Sequence, residues 1–201
     1  MHHILKSISL IFHPLFMPIA GVIFYFAKTP RFVETEIIWA KLISLSILTI
    51  ALPILLFFLL KTLGKINSLH LATTKERIVP LVLHAVIILM IITQILKPER
   101  YVELYYFFVG ILISTLSCLI LAFFKFKASI HMIAVSGLFM FLIALSIHFK
   151  ININNVLAVM CIIIGAVATS RLHLKAHSYT ELIMGFVVGL FPQLILVTHW
   201  I

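Results

Sequence analysis

Residues 168–182 read ATSRLHLKAHSYTEL and place Arg171, His173, Lys175, His177 and Glu181 between two long apolar runs. His177 and Glu181 are four apart, so on a helix they share a face. A carboxylate there accepts the imidazole Nδ1–H and leaves Nε2 free as nucleophile or base. Arg171 supplies a planar fork suited to a phosphate. The plainer reading is an exposed ion pair at a helix start, with Glu181 complementing the helix dipole. A third reading is metal chemistry. His173, His177 and Glu181 share one helical stripe, and a further histidine from His131 or His70 would complete a membrane metallohydrolase site.

Two more polar clusters matter. HLATTKERIVP, residues 70–80, holds His70, Lys75, Glu76 and Arg77, with Pro80 opening the next apolar run. FKFKASIHMIAVSG, residues 124–137, holds Lys125, Lys127, Ser129 and His131. Taken singly, the first fits an ordinary basic membrane loop. In the second, the lysines suit headgroup anchoring, and His131, just inside a span, suits a hydrogen-bonded structural role.

The elements carrying these clusters must lie in a bilayer. The chain is 63% hydrophobic and only 10% charged, whereas soluble domains carry about 25% charge. We read it as all-α: a polytopic transmembrane helical bundle of six or seven spans forming one domain, 1–201, with a motif-bearing core at about 61–199. A span needs about 20 apolar residues. Such runs fall at about 7–27, 40–60, 79–96, 103–124, 130–149, 155–170 and 180–199. A barrel would need short alternating segments instead. The first run is the weakest, because His13, Pro14 and Pro18 interrupt it; lacking a strongly basic start, it reads as a retained segment rather than a signal peptide. Cys118 and Cys161 lie inside apolar runs and imply packing, not a disulfide or zinc framework.

Seven spans put the loops at 61–78, 125–129 and 171–179 on one face, and all three polar clusters with them. That face carries Lys6, Lys61, Lys65, Lys75, Arg77, Lys125, Lys127, Arg171 and Lys175. The other carries Lys28, Arg31, Lys41, Lys97, Arg100 and Lys150. The positive-inside rule favours a cytoplasmic cluster. Setting aside Lys75, Arg77 and Arg171 as chemical residues makes the count even, so the side stays open.

The three clusters together resemble the type 2 phosphatidic acid phosphatase superfamily. Its third signature is Ser-Arg, five residues, His, three residues, Asp; here Ser170, Arg171, His177 and Glu181 stand at that spacing. Its second, Pro-Ser-Gly-His, is matched in order by Ala128, Ser129, Ile130 and His131. Its first, Lys, six residues, Arg-Pro, is matched loosely by Lys75, Glu76 and Arg77 with Pro80. Strict spacing would put His70 in the lysine's place. Glu181 replaces the family's Asp, and Ala128 and Ile130 replace its Pro and Gly. The match covers residues 75–181, about half of the chain.

The resemblance implies a metal-independent phosphatase without a cofactor, in a bacterial cytoplasmic (inner) membrane. Lys75, Arg77, Ser129 and Arg171 would hold the phosphate. His177 would attack phosphorus, Glu181 would orient it, and His131 would protonate the leaving oxygen. His70, Lys127 and Lys175 are accessory. The expected partners are the bilayer and a lipid mono- or diphosphate, with no nucleic acid. The rival is a non-catalytic lipid-phosphate-binding protein or transporter that keeps the anion clamp.

Overall fold

The computed structural model describes residues 2–64 and 73–201, with side chains from Ile4 onward. Of the described residues 82% are helical, and no strand occurs among them. The helices are α1 (His2–Ile11), α2 (Met17–Lys28), α3 (Thr35–Ser46), α4 (Leu52–Thr62), α5 (Thr74–Met90), α6 (Val102–Phe123), α7 (Ile130–His148), α8 (Asn154–His173) and α9 (Tyr179–Leu196). Among the described residues they form seven stretches long and apolar enough to cross a membrane: Ile4–Lys28, Thr35–Thr62, Thr74–Ile95, Val102–Phe123, Ile130–His148, Asn154–His173 and Tyr179–His199.

Local chemistry explains the interruptions. Pro14 lacks an N–H and drives His13 into an extended conformation (φ −69°, ψ 141°), which ends α1. The chain re-enters the helical path through a short 3-10 turn, Pro14–Phe16, so the first span is broken into α1 and α2. A π-turn at Ile47–Ala51 joins α3 to α4 just before Pro53. Two helix limits differ from the sequence expectation. α5 starts at Thr74, whose predecessor Thr73 accepts a hydrogen bond from the Glu76 N–H, so Lys75 and Arg77 lie within its first turn. Pro80 therefore sits inside a helix rather than opening one. α8 runs past Ser170 to His173, which makes Arg171 a helical residue.

α7 is the central post. Over half (56%) of its most apolar stretch is buried, against 11% for the Thr35–Thr62 span, which lies at the periphery. α9 packs closely along α7 because Gly185 and Gly189 face it. A Cβ at Gly185 would come within 2.7 Å of the Ser129 carbonyl oxygen, and one at Gly189 would collide with the Ile133 carbonyl and the Ser136 hydroxyl. Small residues four apart let helix backbones approach in a membrane, where lipid supplies no hydrophobic drive for association.

Two sharp turns aim the polar segments. α6 and α8 each end with a lysine in the left-handed region, Lys125 (φ 62°) and Lys175 (φ 50°). After α6, Lys125 N–H donates to Ala122 and Phe126 N–H to Leu121; after α8, Lys175 N–H donates to Leu172 and Ala176 N–H to Arg171. This pattern satisfies the last helical carbonyls. The lysine charge, near a helix C-terminus, offsets part of the cost of non-glycine φ > 0. The first turn delivers residues 127–129 and the second delivers His177 to the same place.

The opposite end of the bundle is tied by Glu103, which is fully buried. Its carboxylate pairs with Arg31 at 2.6 Å, accepts from the Tyr25 hydroxyl at 3.2 Å and meets His148 Nε2 at 3.1 Å. This links α2, the segment after it, α6 and α7.

Candidate phosphate site

His177 precedes α9 and is buried. Its Nδ1 lies 2.8 Å from Glu181 Oε2. A carboxylate only accepts, so the neutral ring carries its proton on Nδ1 and keeps the Nε2 lone pair free. The pairing differs in origin from the sequence expectation. Ser178 caps α9, so His177 lies outside the helix; Glu181 also accepts the Ser178 N–H at 3.1 Å, and the Ser178 hydroxyl accepts the Glu181 N–H. A reciprocal capping box therefore fixes the carboxylate that holds the imidazole. Burial pushes the His177 pKa down to about 4; the Glu181 bond opposes this, and the charges of Arg77 and Arg171 add to the lowering.

Arg77 projects from the first turn of α5 and is only 4% exposed. Its Nη1 donates to the Ala128 carbonyl at 2.8 Å. Ser129, fully buried beside it, caps α7 through its hydroxyl, which accepts from the Met132 N–H, while its own N–H donates to the Glu181 carbonyl at 3.1 Å. That bond ties the starts of α7 and α9 together. It also engages the Ser129 backbone N–H, so of the donors by which Ser129 could hold a phosphate the hydroxyl hydrogen remains. Lys127 Nζ donates to the Ala176 carbonyl at 3.3 Å. Burial lowers the Lys127 pKa, and Arg77 and Arg171 lower it further while Glu181 opposes them. One electrostatic neighbourhood thus contains three cations, His177 and Glu181.

Arg171 closes the site from α8 and is 8% exposed. Its Nη1 donates to the Ser9 hydroxyl at 3.3 Å, and its buried Nε has no partner among the described residues. No carboxylate pairs with it among those residues. His131 Nε2 lies 3.2 Å from the Ser9 carbonyl, and the ring stands edge-on to His13 at 5.4 Å. A carbonyl only accepts, so His131 carries a proton on Nε2. His131 lies within electrostatic reach of Arg171 and His177.

No family model, curated protein or solved structure matches the chain.

Arg77, Ser129, His131, Arg171, His177 and Glu181 converge from α5, α7, α8 and α9, as parity of the spans requires. Lys127 joins them. Lys75 is exposed in the first turn of α5, and Lys175 is exposed in the turn after α8. His70 lies outside the described residues. The helical stripe expected for a metal is broken, because α8 ends at His173 and α9 begins only at Tyr179. Among the described residues no three His, Cys, Asp or Glu side chains gather as a metal site. Ser9 escaped the sequence reading, in which His13 figured only as an interruption of the first apolar run. A serine in an apolar run carries no signal until the fold places it against Arg171.

Buried guanidinium groups are costly unless paired. Here two share one site, within electrostatic reach of each other. An anion with several oxygens would meet the unpartnered Arg171 Nε and lie within reach of the Arg77 charge.

Proposed function

We propose that the protein is an integral membrane phosphatase that hydrolyses a lipid phosphate or pyrophosphate monoester through a phosphohistidine, without a metal. The observation that carries this reading is the buried His177 held 2.8 Å from the half-buried Glu181, beside the buried Arg77 and Arg171. Phosphoryl transfer depends mostly on positioning and on charge stabilisation of the equatorial oxygens.

In this mechanism Arg77 and Arg171 hold those oxygens, with Lys75 and Lys127 drawing the anion in. The His177 Nε2 lone pair attacks phosphorus and the ester P–O bond breaks. With the anionic phosphate bound, His131 carries a second proton on Nδ1, its Nε2 proton staying on the Ser9 carbonyl, and gives the Nδ1 proton to the leaving oxygen. Neutral His131 then takes a proton from water, whose oxygen attacks phosphorus as the P–N bond breaks and returns its electron pair to Nε2. Glu181 holds the Nδ1 proton throughout and stabilises the charge that develops on the ring.

The lipid character of the substrate is supported by a cavity of about 280 Å³ lined by Met132, Ala168, Leu172, Tyr179, Leu182, Ile183 and Phe186. It lies between α8 and α9. Met132, Leu172 and Leu182 directly follow His131, Arg171 and Glu181 in the chain, which puts the cavity at the same end of the bundle as the cations. A bacterial cytoplasmic membrane is the setting that the resemblance implies.

Binding without turnover is the second reading. What favours it is the Nε2 proton of His131, directed at the Ser9 carbonyl rather than at an open site. Inorganic phosphate release by the purified protein in detergent, from a panel of lipid mono- and diphosphates with EDTA present, separates the two. Release that persists in EDTA and vanishes in His177→Ala supports the phosphatase. Tight lipid-phosphate binding with no release supports the second reading. Release abolished by EDTA contradicts the metal-free mechanism.

A further inference from the structure

We propose that Ser9, on the first helix, is a positioning residue of the site: its hydroxyl aligns the Arg171 guanidinium, and its carbonyl sets the His131 ring. The proposal rests on the reading of Arg171 as a phosphate clamp.

The hydrogen bonds around Ser9 have one consistent direction. The Ser170 hydroxyl donates to the Leu5 carbonyl at 2.6 Å. Ser170 Oγ therefore accepts from the Ser9 hydroxyl, 2.8 Å away. Having given its single proton to Ser170, Ser9 Oγ has only lone pairs left for Arg171 Nη1, at 3.3 Å. The Ser9 carbonyl meanwhile receives the His131 Nε2–H. One residue thus joins α1 to α8 and α7, and it is 8% exposed.

The consequence is a pre-set clamp. Arginine has a long side chain with many rotamers to lose on ordering. A guanidinium already held at one nitrogen loses less of that freedom when an anion arrives, and its buried Nε stays available. His13 adds a packing wall to the same arrangement, its ring edge-on to His131. The break at Pro14 lets α1 lie against α8 while α2 packs against α7. The N-terminal helix therefore forms a wall of the site as well as part of a membrane span.

The test is equilibrium binding of inorganic phosphate to the full chain in detergent, by titration calorimetry, with thermal melting of each variant alongside. Ser9→Ala should weaken binding about three- to tenfold with melting unchanged, the scale of one lost alignment contact. Ser9→Thr, which keeps the oxygen, should restore it. Ser9→Cys, close in size but a weak acceptor, should behave like Ser9→Ala and serves if that variant does not fold. Ser7→Ala, on the exposed side of α1, should change nothing. If wild type binds phosphate and both Ser9→Ala and Ser9→Cys bind equally well, Ser9 does not position the clamp. Tighter binding in Ser9→Ala would make α1 a plug and overturn the proposal in the opposite sense. If wild type binds no phosphate, the clamp reading itself fails and takes this inference with it.

Discussion

His177 concentrates the chemistry of the site in one ring. Its Nδ1–H donates to Glu181, and its pKa is lowered to about 4 by burial and by two arginines. Neutral imidazole is the nucleophilic form, so lowering the pKa keeps it available in acid. The acid limb of kcat/KM assigned to His177 should therefore fall near pH 4 rather than at the ordinary histidine value of about 6.5. A pH–rate profile with a His177 limb near 6.5 would contradict the environment described. The stability consequence has the same sign. The unfolded chain takes up this proton first, so His177's contribution is complete above about 6.5 and is lost as pH falls towards 4. The sequence made this pair legible through residue types and spacing. It could not show that a capping box, rather than a shared helical face, brings them together. The roles of Ser9 and His13 were illegible because they depend on where α1 lies against α8.

Helix packing turns that chemistry into a site. Long apolar runs announced every span, since a bilayer leaves the backbone few other choices. What the runs concealed was the depth of the charged residues. Arg77 and Arg171 were read as loop or helix-end groups, yet both are buried helical residues, because the Thr73 cap and a C-terminal turn extend α5 and α8 beyond their apolar stretches. Gly185 and Gly189 carry the closest approach, and Ser129 bonds to the Glu181 backbone across it. Gly185→Leu should force α9 off α7 and remove activity together with a large part of the stability, as overpacking does. Wild-type melting and turnover in that variant would show the approach to be dispensable. Leu172→Trp, which fills the cavity between α8 and α9, should raise KM for long-chain lipid phosphates and leave a short soluble ester unaffected. Equal effects on both substrates would separate the cavity from tail binding.

Across the whole protein, charge is divided by face. The face bearing the site holds nine lysines and arginines but only Glu76 and Glu181, whereas Glu34, Glu36, Glu99 and Glu103 belong to the other face. An unbalanced basic face suits an anionic ligand or headgroup layer. On the other face Glu103 satisfies Arg31, His148 and Tyr25. Its role as a staple was not legible in the sequence, because its partners come from residues as distant as Tyr25 and His148. Glu103→Gln keeps the shape but removes the charge that Arg31 and His148 face. Because Arg31 is partly exposed, with 43% of its side chain accessible, the loss should be modest for a broken buried pair, about 2 kcal/mol. A melting curve in detergent measures it, and phosphate binding at the opposite face should be unchanged. A loss of phosphate affinity without a change in melting would mean that the two faces are coupled.

The central claim is that phosphorus is transferred to His177. The most direct measurement is to quench the protein during turnover of a radiolabelled lipid phosphate and map any acid-labile, base-stable phosphate on the chain by proteolysis and mass spectrometry. The account predicts label on His177, on Nε2, and none in His177→Ala. Turnover that leaves His177 unlabelled and continues at the wild-type rate in His177→Ala would contradict it.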